Sequence, residues 1–469
     1  MSSLFHKIKS FVRLFRQAIT GGEQDFTQTP IDRAIFLLAV PMILEMSMEA
    51  LFAVVDVYFV SLLHDNEAVA TVGLTESLLT VLYSLAMGVG MGATAMVARR
   101  VGERDLEGAQ TAAGQAIIVG VCMSIVIALI GFFFAEDLLR LMGASERLIG
   151  NNVGYTRGML SGNITIVMLF VINGVFRGAG DASIAMRSLW IANLVNIALD
   201  PLFIFGWGPI PSFGVQGAAI ATNTGRGIGV LYQLYHLQKG NGKIIIRLGG
   251  LRAKFDIIRK LVVVSAGGTG QFLIGSASWI FLMRIISDFG SAALAGYTIA
   301  IRVIIFALLP AWGMANASAT LVGQNLGAGS ADRAERSVWR AAFFNMVFMA
   351  VITVLFFSLA APILGLFTTD EEALGNGIQC LQIVSLGYVF YSYGMVITQS
   401  FNGAGDTRTP TVISFVGFWL FQIPLAYALA KGFETGPVGV YIAVSVAESL
   451  MAVAGILIFR QGRWKAVKI

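Results

Sequence analysis

Apolar runs of about 20 residues recur from one end of the chain to the other, separated by short polar segments. A helix needs about 20 apolar residues to cross the hydrocarbon core of a bilayer, so these runs predict membrane-spanning helices. The pattern predicts an all-α membrane protein with twelve spans. They are expected at 34–62, 68–98, 108–134, 149–175, 183–206, 213–238, 257–287, 291–324, 332–360, 373–400, 409–430 and 437–460.

The second half of the chain repeats the first. FRGAGD at 176–181 returns as FNGAGD at 401–406, and LLRLMGASERLIGNNV at 138–153 aligns with ILGLFTTDEEALGNGI at 363–378, at the same offset of 225 residues. A register kept without gaps indicates an internal duplication of six spans. Because six is an even number, the second repeat starts on the same side of the membrane as the first. The two repeats are therefore predicted to run parallel, around a pseudo-two-fold axis along the membrane normal.

Charge changes the picture in two ways. Only 13% of the residues are charged and 56% are hydrophobic, against roughly 25% charged in soluble domains, which excludes a soluble helical protein. Lys and Arg collect at both termini, in the central linker and in alternate loops, so both termini are predicted to be cytoplasmic. The net charge of +5 follows from this topology and predicts no nucleic-acid partner.

Five segments are expected along the chain. They are a cytoplasmic amphipathic segment at 1–33, a first lobe at 34–239, a basic cytoplasmic linker at 240–256, a second lobe at 257–462 and a cytoplasmic tail at 463–469. In the first segment, apolar residues recur at helical spacing between basic ones, which predicts a helix lying on the inner leaflet; a disordered tail is the alternative. The apolar positions are Leu4, Ile8, Phe11, Phe15 and Ile19, and the basic ones are Lys7, Arg13 and Arg16.

Acidic residues inside the predicted spans distinguish the two repeats. Glu45, Glu49, Asp56 and Asp200 of the first repeat align with Gly270, Ile274, Phe281 and Leu425 of the second. Acids within a bilayer are costly and mark ion or proton pathways by default. Structural ion pairs with Arg226 or Arg302 are the alternative.

Helical geometry places several of these polar groups together. Glu45, Glu49 and Asp56 lie within about 40° of one helix face at 100° per residue. Asn196 and Asp200 are one turn apart.

The positions of these groups along the predicted spans place them at a similar depth in the bilayer. Asp56 and Asp200 each lie about six residues below the outer end of their span, roughly 9 Å, and Thr222 about nine residues below. Two adjacent carboxylates cannot both stay charged easily, so the pair could hold a proton, or its oxygens could coordinate Na⁺. The sequence leaves both ions open.

Two further features concern the shape of the helices. Pro41 lies inside the first span, where a proline removes a helix hydrogen bond and permits a kink, so it is a candidate hinge; a kink without motion is the alternative. Each GAGD motif falls between two spans and is predicted to turn the chain, with glycine permitting the tight turn and with Asp181 and Asp406 placed to cap the next helix.

Taken in order, these motifs resemble the multidrug and toxic compound extrusion (MATE) family over residues 30–460. The resemblance rests on VVDVYFV in the first span, FRGAGD, the NxxxDP pattern at 196–201, LVGQNLGAG at 321–329 and FNGAGD. It implies a V-shaped transporter of two six-helix lobes in the bacterial inner membrane. Such a transporter exports amphipathic, often cationic, compounds against H⁺ or Na⁺ by alternating access. The resemblance also implies a monomer that is not an enzyme and needs no cofactor.

The resemblance also implies roles for individual residues. The positions that match the first-lobe coupling site, which would bind H⁺ or Na⁺, are Asp56, Asn196, Asp200 and Thr222, with Tyr155 and Asn173 as further polar members. Glu45, Glu49 and Gln271 would face the substrate cavity. The tenth span has no acid, which argues against a second-lobe coupling site, and Glu448 has no assigned role.

Three other functions fit the sequence less well. A flippase for lipid-linked precursors would require a basic central cavity, whereas the first lobe is acidic. A channel would not require acids confined to one repeat. An intramembrane enzyme would require a catalytic set deep in the spans, but His6, His64 and His236 all lie near span ends or outside the spans.

Overall fold

The computed structural model describes residues 2–22, 24–63, 65–240, 243–246 and 251–469, and over these the chain is built of helices without a β-strand. The helices are α1 (Ser2–Thr20), α2 (Ile31–Ser61), α3 (Asn66–Gly102), α4 (Leu106–Leu141), α5 (Glu146–Ser161), α6 (Ile164–Ala179), α7 (Ala182–Phe205), α8 (Val215–Lys239), α9 (Phe255–Ser287), α10 (Ser291–Gly327), α11 (Ala331–Leu364), α12 (Glu371–Leu386), α13 (Tyr388–Ala404), α14 (Arg408–Phe415), α15 (Ile423–Tyr427) and α16 (Pro437–Arg460). Two π-helical segments, Val416–Gln422 and Ala428–Gly432, continue α14 and α15. The tail contains a 3₁₀ turn at Arg463–Ala466.

Helix covers all twelve predicted spans, which confirms the all-α membrane fold. Within the described residues, ten helical segments are long and apolar enough to cross a bilayer, and α12 with α13 forms an eleventh that is bent by 59°. The sixth predicted span is present as the 25-residue α8, which is more polar than the other spans. Six positions of the predicted linker (241, 242 and 247–250) and His64 lie outside the described residues, as do the side chains of Leu4, Lys7 and Ile8 in the amphipathic segment.

The fourth span of each repeat is broken at the same place. α5 ends at Ser161 and α6 begins at Ile164, while α12 ends at Leu386 and α13 begins at Tyr388. Gly162 at the first break and Gly387 at the second are equivalent positions of the repeat. The duplication therefore extends to an interruption that hydropathy alone does not reveal.

The chain forms two compact units whose limits cut across two helices. One unit comprises Met1–Gln24 and Leu44–Thr269, and the other comprises Asp25–Ile43 and Gly270–Ile469. The lobes predicted at 34–239 and 257–462 each contain one continuous half of the chain. Packing instead places the beginning of α2, up to Ile43, in the unit formed mainly by the second half, and the beginning of α9, up to Thr269, in the unit formed mainly by the first half. In α9, Ser265 and Thr269 pack against Gly92 and Gly88 of α3, and the lack of a Cβ on those glycines permits the contact.

The repeated motif has the same structural role in both units. Gly178 and Gly403 pack against the backbone of Thr94 and Ala319, which are equivalent residues of α3 and α10. Gly180 and Gly405 then end their helices with φ of +89° and +88°, a left-handed conformation that glycine adopts without strain. The aspartate N–H closes each turn on the phenylalanine carbonyl, at 2.8 Å in the first repeat and 2.9 Å in the second. The motif thus turns two equivalent helix pairs, as predicted. Asp406 accepts from the Thr409 N–H at the start of the next helix, whereas Asp181 does not cap α7 and accepts from the Lys243 N–H instead.

We expect Gly403→Ala to destabilise the second unit by about 1–3 kcal/mol, because the added methyl group overlaps the Ala319 carbonyl oxygen and forces α10 and α13 apart. Gly375→Ala is the matched control, since this glycine is also helical and has no atom near its added Cβ. It should be neutral or stabilising by up to about 1 kcal/mol. Thermal unfolding of both purified variants in detergent measures the difference, and equal transitions would show that the close crossing is unimportant.

Candidate functional site

The predicted amide, hydroxyl and one carboxylate meet between α7 and α8. Asn196 Nδ2 donates a hydrogen bond of 2.9 Å to Thr222 Oγ1. Asp200, one turn beyond Asn196 on α7, is completely buried. Both Asp200 carboxylate oxygens and Asn196 Oδ1 are buried and accept no hydrogen bond from the described residues. Three oxygen acceptors are therefore available to a proton or a cation.

Small residues on α8 bring these groups together. Gly225 faces the backbone of α7, where an added Cβ would lie 2.5 Å from the Ala192 carbonyl oxygen and 2.9 Å from the Asn196 Cβ. Gly229, one turn on, would meet the Ser188 carbonyl oxygen at 3.0 Å. Glycines four residues apart let two helix backbones approach closely. This crossing fixes Thr222 at hydrogen-bonding distance from Asn196.

The second predicted carboxylate belongs to the same neighbourhood. Asp56 on α2 lies close enough to Asp200 for the two charges to interact, and one of its oxygens is buried and accepts no hydrogen bond. The buried Tyr155 of α5 lies within range of both carboxylates. Neither Asp56 nor Asp200 forms an ion pair in the described part of the chain. We call Asp56, Tyr155, Asn196, Asp200 and Thr222 the acid pair cluster.

Sequence reasoning missed Glu76, an acid of α3 that lies close enough to Asp56 and Tyr155 to act on both electrostatically. The comparison of repeats could have found it, because Ile301 occupies the equivalent position of the second repeat.

Asn173 lies in a different network. Its Nδ2 donates to Glu45 Oε1 at 2.9 Å, and its Oδ1 accepts from Ser188 and from Gln233 at 2.6 Å. Arg177 approaches the same Glu45 oxygen at 3.7 Å. The structure thus bonds Asn173 to Glu45, and it assigns Asn173 no contact with the Asp56 and Asp200 carboxylates.

Glu49 is the second acid with an arginine partner. Arg226 is 1% exposed, and its Nη2 donates to Glu49 Oε1 at 3.0 Å. Asn193 donates to the other carboxylate oxygen at 3.1 Å. The Arg226 guanidinium also lies 5.4 Å from the ring centroid of Phe52, a cation–π distance. The ion-pair alternative therefore describes Glu45 and Glu49, whose charges are already compensated within the first unit.

The two remaining predicted residues, Gln271 and Pro41, lie in the second compact unit. Gln271 and Asn402 exchange hydrogen bonds of 3.0 and 3.1 Å. Asn402 is the repeat equivalent of Arg177, whereas Gln271 aligns with Met46, the residue after Glu45, so an uncharged amide pair lies near the position of the Arg177–Glu45 ion pair. Pro41 is buried in α2, which continues through it, and the limit between the units falls two residues later, after Ile43.

Known proteins resemble this chain over nearly all of its length. The MatE family profile matches residues 41–202 and 270–428, one segment in each repeat. The Bacillus subtilis (strain 168) "Probable multidrug resistance protein YoeA" is 25% identical over 444 residues, covering 93% of this chain and 95% of that protein. The Shewanella oneidensis "FAD transporter" is 26% identical, covering 91% of this chain and 93% of that protein.

Solved structures agree with the sequence comparisons. "Crystal structure of MATE in complex with MaL6" has a TM-score of 0.88 and 28% identity to this chain, covering 94% of it and 99% of that chain. "Crystal structure of MATE in the bent conformation" has a TM-score of 0.86 at 27% identity, covering 93% and 96%. The helical architecture is therefore shared along the whole length compared.

Proposed function

The chain belongs to the MatE family of multidrug efflux transporters, as its sequence resemblance predicted, and we propose that it exports amphipathic cationic compounds by antiport against H⁺ or Na⁺. It is a multi-pass membrane transporter and not an enzyme. The observation that supports antiport is the acid pair cluster, in which neither of two neighbouring carboxylates forms a salt bridge within the described residues, although Arg226 acts on Asp56 electrostatically.

The distribution of charge in the first unit points to this cluster. Glu45 and Glu49 have arginine partners, so their negative charge is compensated inside the protein. Neither Asp56 nor Asp200 forms such a salt bridge within the described residues, and Arg226 acts on Asp56 only electrostatically. Because a buried charge without a counter-ion is costly, the pair favours binding a proton or a cation. The same pairing of arginines supports export over the flippase alternative, since neither Arg177 nor Arg226 offers a free charge to a diphosphate.

Coupling follows if ion and substrate favour different states of the transporter. A ligand shifts a conformational equilibrium only by its differential affinity for the two states. The carboxylates lie in the outer half of their predicted spans, so ions would enter from outside. A bound H⁺ or Na⁺ removes the charge that attracts a cationic substrate and thereby promotes its release. Pro41, next to the limit between the units, is the residue about which α2 would bend.

Everted membrane vesicles containing the protein test this proposal. Accumulation of a fluorescent cation such as ethidium should respond to a proton gradient or to a Na⁺ gradient imposed separately, and it should cease when the responsible gradient collapses. FAD and a neutral dye complete the substrate panel. Accumulation that depends on neither gradient would contradict antiport, and selective accumulation of FAD would contradict a cationic substrate.

We further propose that both termini lie in the cytoplasm, that the membrane is the bacterial inner membrane and that the transporter acts as a monomer. In a variant lacking Cys122 and Cys380, an impermeant maleimide added outside intact cells should label Thr369→Cys, which lies between the ninth and tenth spans. It should reach Lys468→Cys only after the cells are permeabilised, because Lys and Arg concentrate on the cytoplasmic side. The opposite labelling pattern would reverse the orientation.

A further inference from the structure

Arg226 lies beside a stripe of α2 that has a carboxylate at each end. Glu49, Phe52 and Asp56 are spaced by three and four residues, so they share one face of the helix over about 10 Å. The Arg226 guanidinium lies 5.4 Å from the ring centroid of Phe52, the residue one helical turn from each carboxylate. Its Nη2 donates to Glu49 Oε1 at 3.0 Å, and its charge also acts on Asp56.

The hydrogen bonds of this arginine use only part of its guanidinium. Nη2 bonds to Glu49 and, at 3.5 Å, to the Tyr83 hydroxyl. Nε and Nη1 are buried and donate to no acceptor within the described residues. Buried donors without an acceptor are costly and rare in native proteins, so they point to a partner that these side chains meet in another state.

Unused acceptors lie in the same neighbourhood. One oxygen of Asp56 and both carboxylate oxygens of Asp200 are buried and accept no hydrogen bond from the described residues. The other ionisable groups that act on this carboxylate pair are acidic or phenolic, namely Glu76, Tyr83 and Tyr155. Within the described part of the chain, Arg226 is therefore the only basic group that acts on Asp56.

Aromatic rings surround the guanidinium on the path between the two carboxylates. Its carbon lies 5.4, 5.8 and 5.9 Å from the ring centroids of Phe52, Tyr83 and Phe170. A ring face attracts a cation without fixing any one of its N–H groups. The guanidinium can therefore turn toward either end of the stripe while its aromatic contacts persist.

The second repeat has neither the arginine nor its acidic neighbours. Met451 stands at the position of Arg226. The acids are replaced as well, with Ile274 for Glu49, Phe281 for Asp56, Ile301 for Glu76 and Leu425 for Asp200. The buried arginine thus occurs in the repeat that has the acid pair, which associates it with that site and not with the duplicated scaffold.

We propose that Arg226 is the internal counter-ion of the coupling site and exchanges partners during transport. It pairs with Glu49 when a cation occupies the acid pair, and it pairs with Asp56 when the site is empty. A buried carboxylate that loses its only partner is strongly destabilising, and the exchange supplies a partner at the moment the ion leaves. An entering ion must displace the arginine, so Arg226 weakens ion binding and makes it reversible. The inference rests on the proposed function and adds to it the residue that sets ion affinity.

Thermal unfolding of the purified full-length protein in detergent tests the exchange. At pH 8.5 without Na⁺, Asp56 can take over the arginine in Glu49→Gln, so the midpoint temperature should fall only slightly. At pH 5.5 or with saturating Na⁺, Asp56 is occupied, and the same substitution should lower the midpoint by several degrees more. Glu49→Gln/Asp56→Asn removes both partners and should show the large loss under both conditions. Glu45→Gln is the matched control: its arginine is Arg177, so its loss should not depend on Asp56→Asn.

The ion dependence of substrate affinity is the second readout. In Glu49→Gln the arginine is left to Asp56, so the ion binds more weakly and the rise in substrate Kd should move to lower pH or higher Na⁺. In Arg226→Met/Glu49→Gln the competitor is absent, and the rise should move in the opposite direction. The expected shift is at least about one pH unit, or about tenfold in Na⁺ concentration.

Two results would overturn the exchange. One is an equal loss of midpoint temperature for Glu49→Gln under the two conditions, and the other is an ion dependence that moves the same way, or not at all, in the two variants. If Arg226→Met/Glu49→Gln is not monodisperse, Glu49→Gln with and without Asp56→Asn decides the question. Failure of the exchange with ion-dependent substrate binding intact leaves the proposed function standing. A substrate Kd of the unmutated protein that responds to neither ion contradicts the proposed function instead.

Discussion

Replacing Asp200 by Asn should reduce ion-driven export to the level of membranes without the protein, a loss of at least about tenfold. The amide has nearly the same volume as the carboxylate, so packing between α7 and α8 is preserved. It carries no charge and cannot exchange a proton, so the variant loses the group that senses the ion. Typical coupling free energies between two ligands correspond to about 5- to 150-fold changes in affinity. Asp200→Asn should abolish most of this ion-dependent change in substrate affinity.

The measurement is gradient-driven ethidium accumulation in everted vesicles at matched expression, with drug resistance of cells as a second readout. Asp406→Asn is the matched control, because Asp406 Oδ1 accepts from the Thr409 N–H at 3.2 Å and its Oδ2 accepts from the Thr409 hydroxyl at 2.6 Å. The amide oxygen of Asn can still accept from the N–H, and its NH₂ group can donate to the hydroxyl oxygen. It should retain export. Asp56→Asn should behave like Asp200→Asn. Normal export by both first-unit variants would show that the acid pair cluster is not the coupling site.

The largest effect on stability is expected at Arg226. Arg226→Met should destabilise the first unit by about 3–5 kcal/mol, because it leaves the Glu49 carboxylate without its buried counter-ion while nearly preserving volume. The guanidinium also loses its contacts with the Tyr83 hydroxyl at 3.5 Å and with the Phe52 ring. The double variant Arg226→Met/Glu49→Gln should regain most of this stability, since no unpaired charge then remains.

Thermal unfolding of the purified variants in detergent, followed by size-exclusion chromatography, measures both effects. Arg284→Met is the control: its side chain is 76% exposed and pairs with Asp288, so its loss should change stability by less than about 1 kcal/mol. A double variant as unstable as Arg226→Met would show that packing of the arginine, and not charge compensation, determines the effect.

The features that the sequence predicted well are those that depend on local pattern. The twelve helices follow from hydropathy and the two repeats follow from register. Asp200, Asn196 and Thr222 could be brought together because spacing and depth along a helix are fixed by helical geometry. Their hydrogen bond and the proximity of Asp56 agree with that reasoning.

What the sequence could not supply depends on which helix faces which. Hydropathy does not show that Arg226 points at Glu49, or that Asn173 bonds to Glu45. It also cannot show that the beginnings of α2 and α9 pack with the opposite unit, since the apolar run is continuous through the limit. The break at Gly387 was hidden for the same reason, because a bent pair of helices and a straight one have the same composition.

The binding affinity of a cationic substrate, measured in detergent across about pH 5.5–8.5 with and without Na⁺, tests the central claim most directly. Linkage requires that an ion that lowers the affinity for substrate is itself bound more weakly, by the same factor, when the substrate is bound. We predict that Kd rises as pH falls or as Na⁺ increases, and that Asp200→Asn flattens this dependence. A Kd of the unmutated protein that responds to neither ion would contradict direct competition at the acid pair cluster.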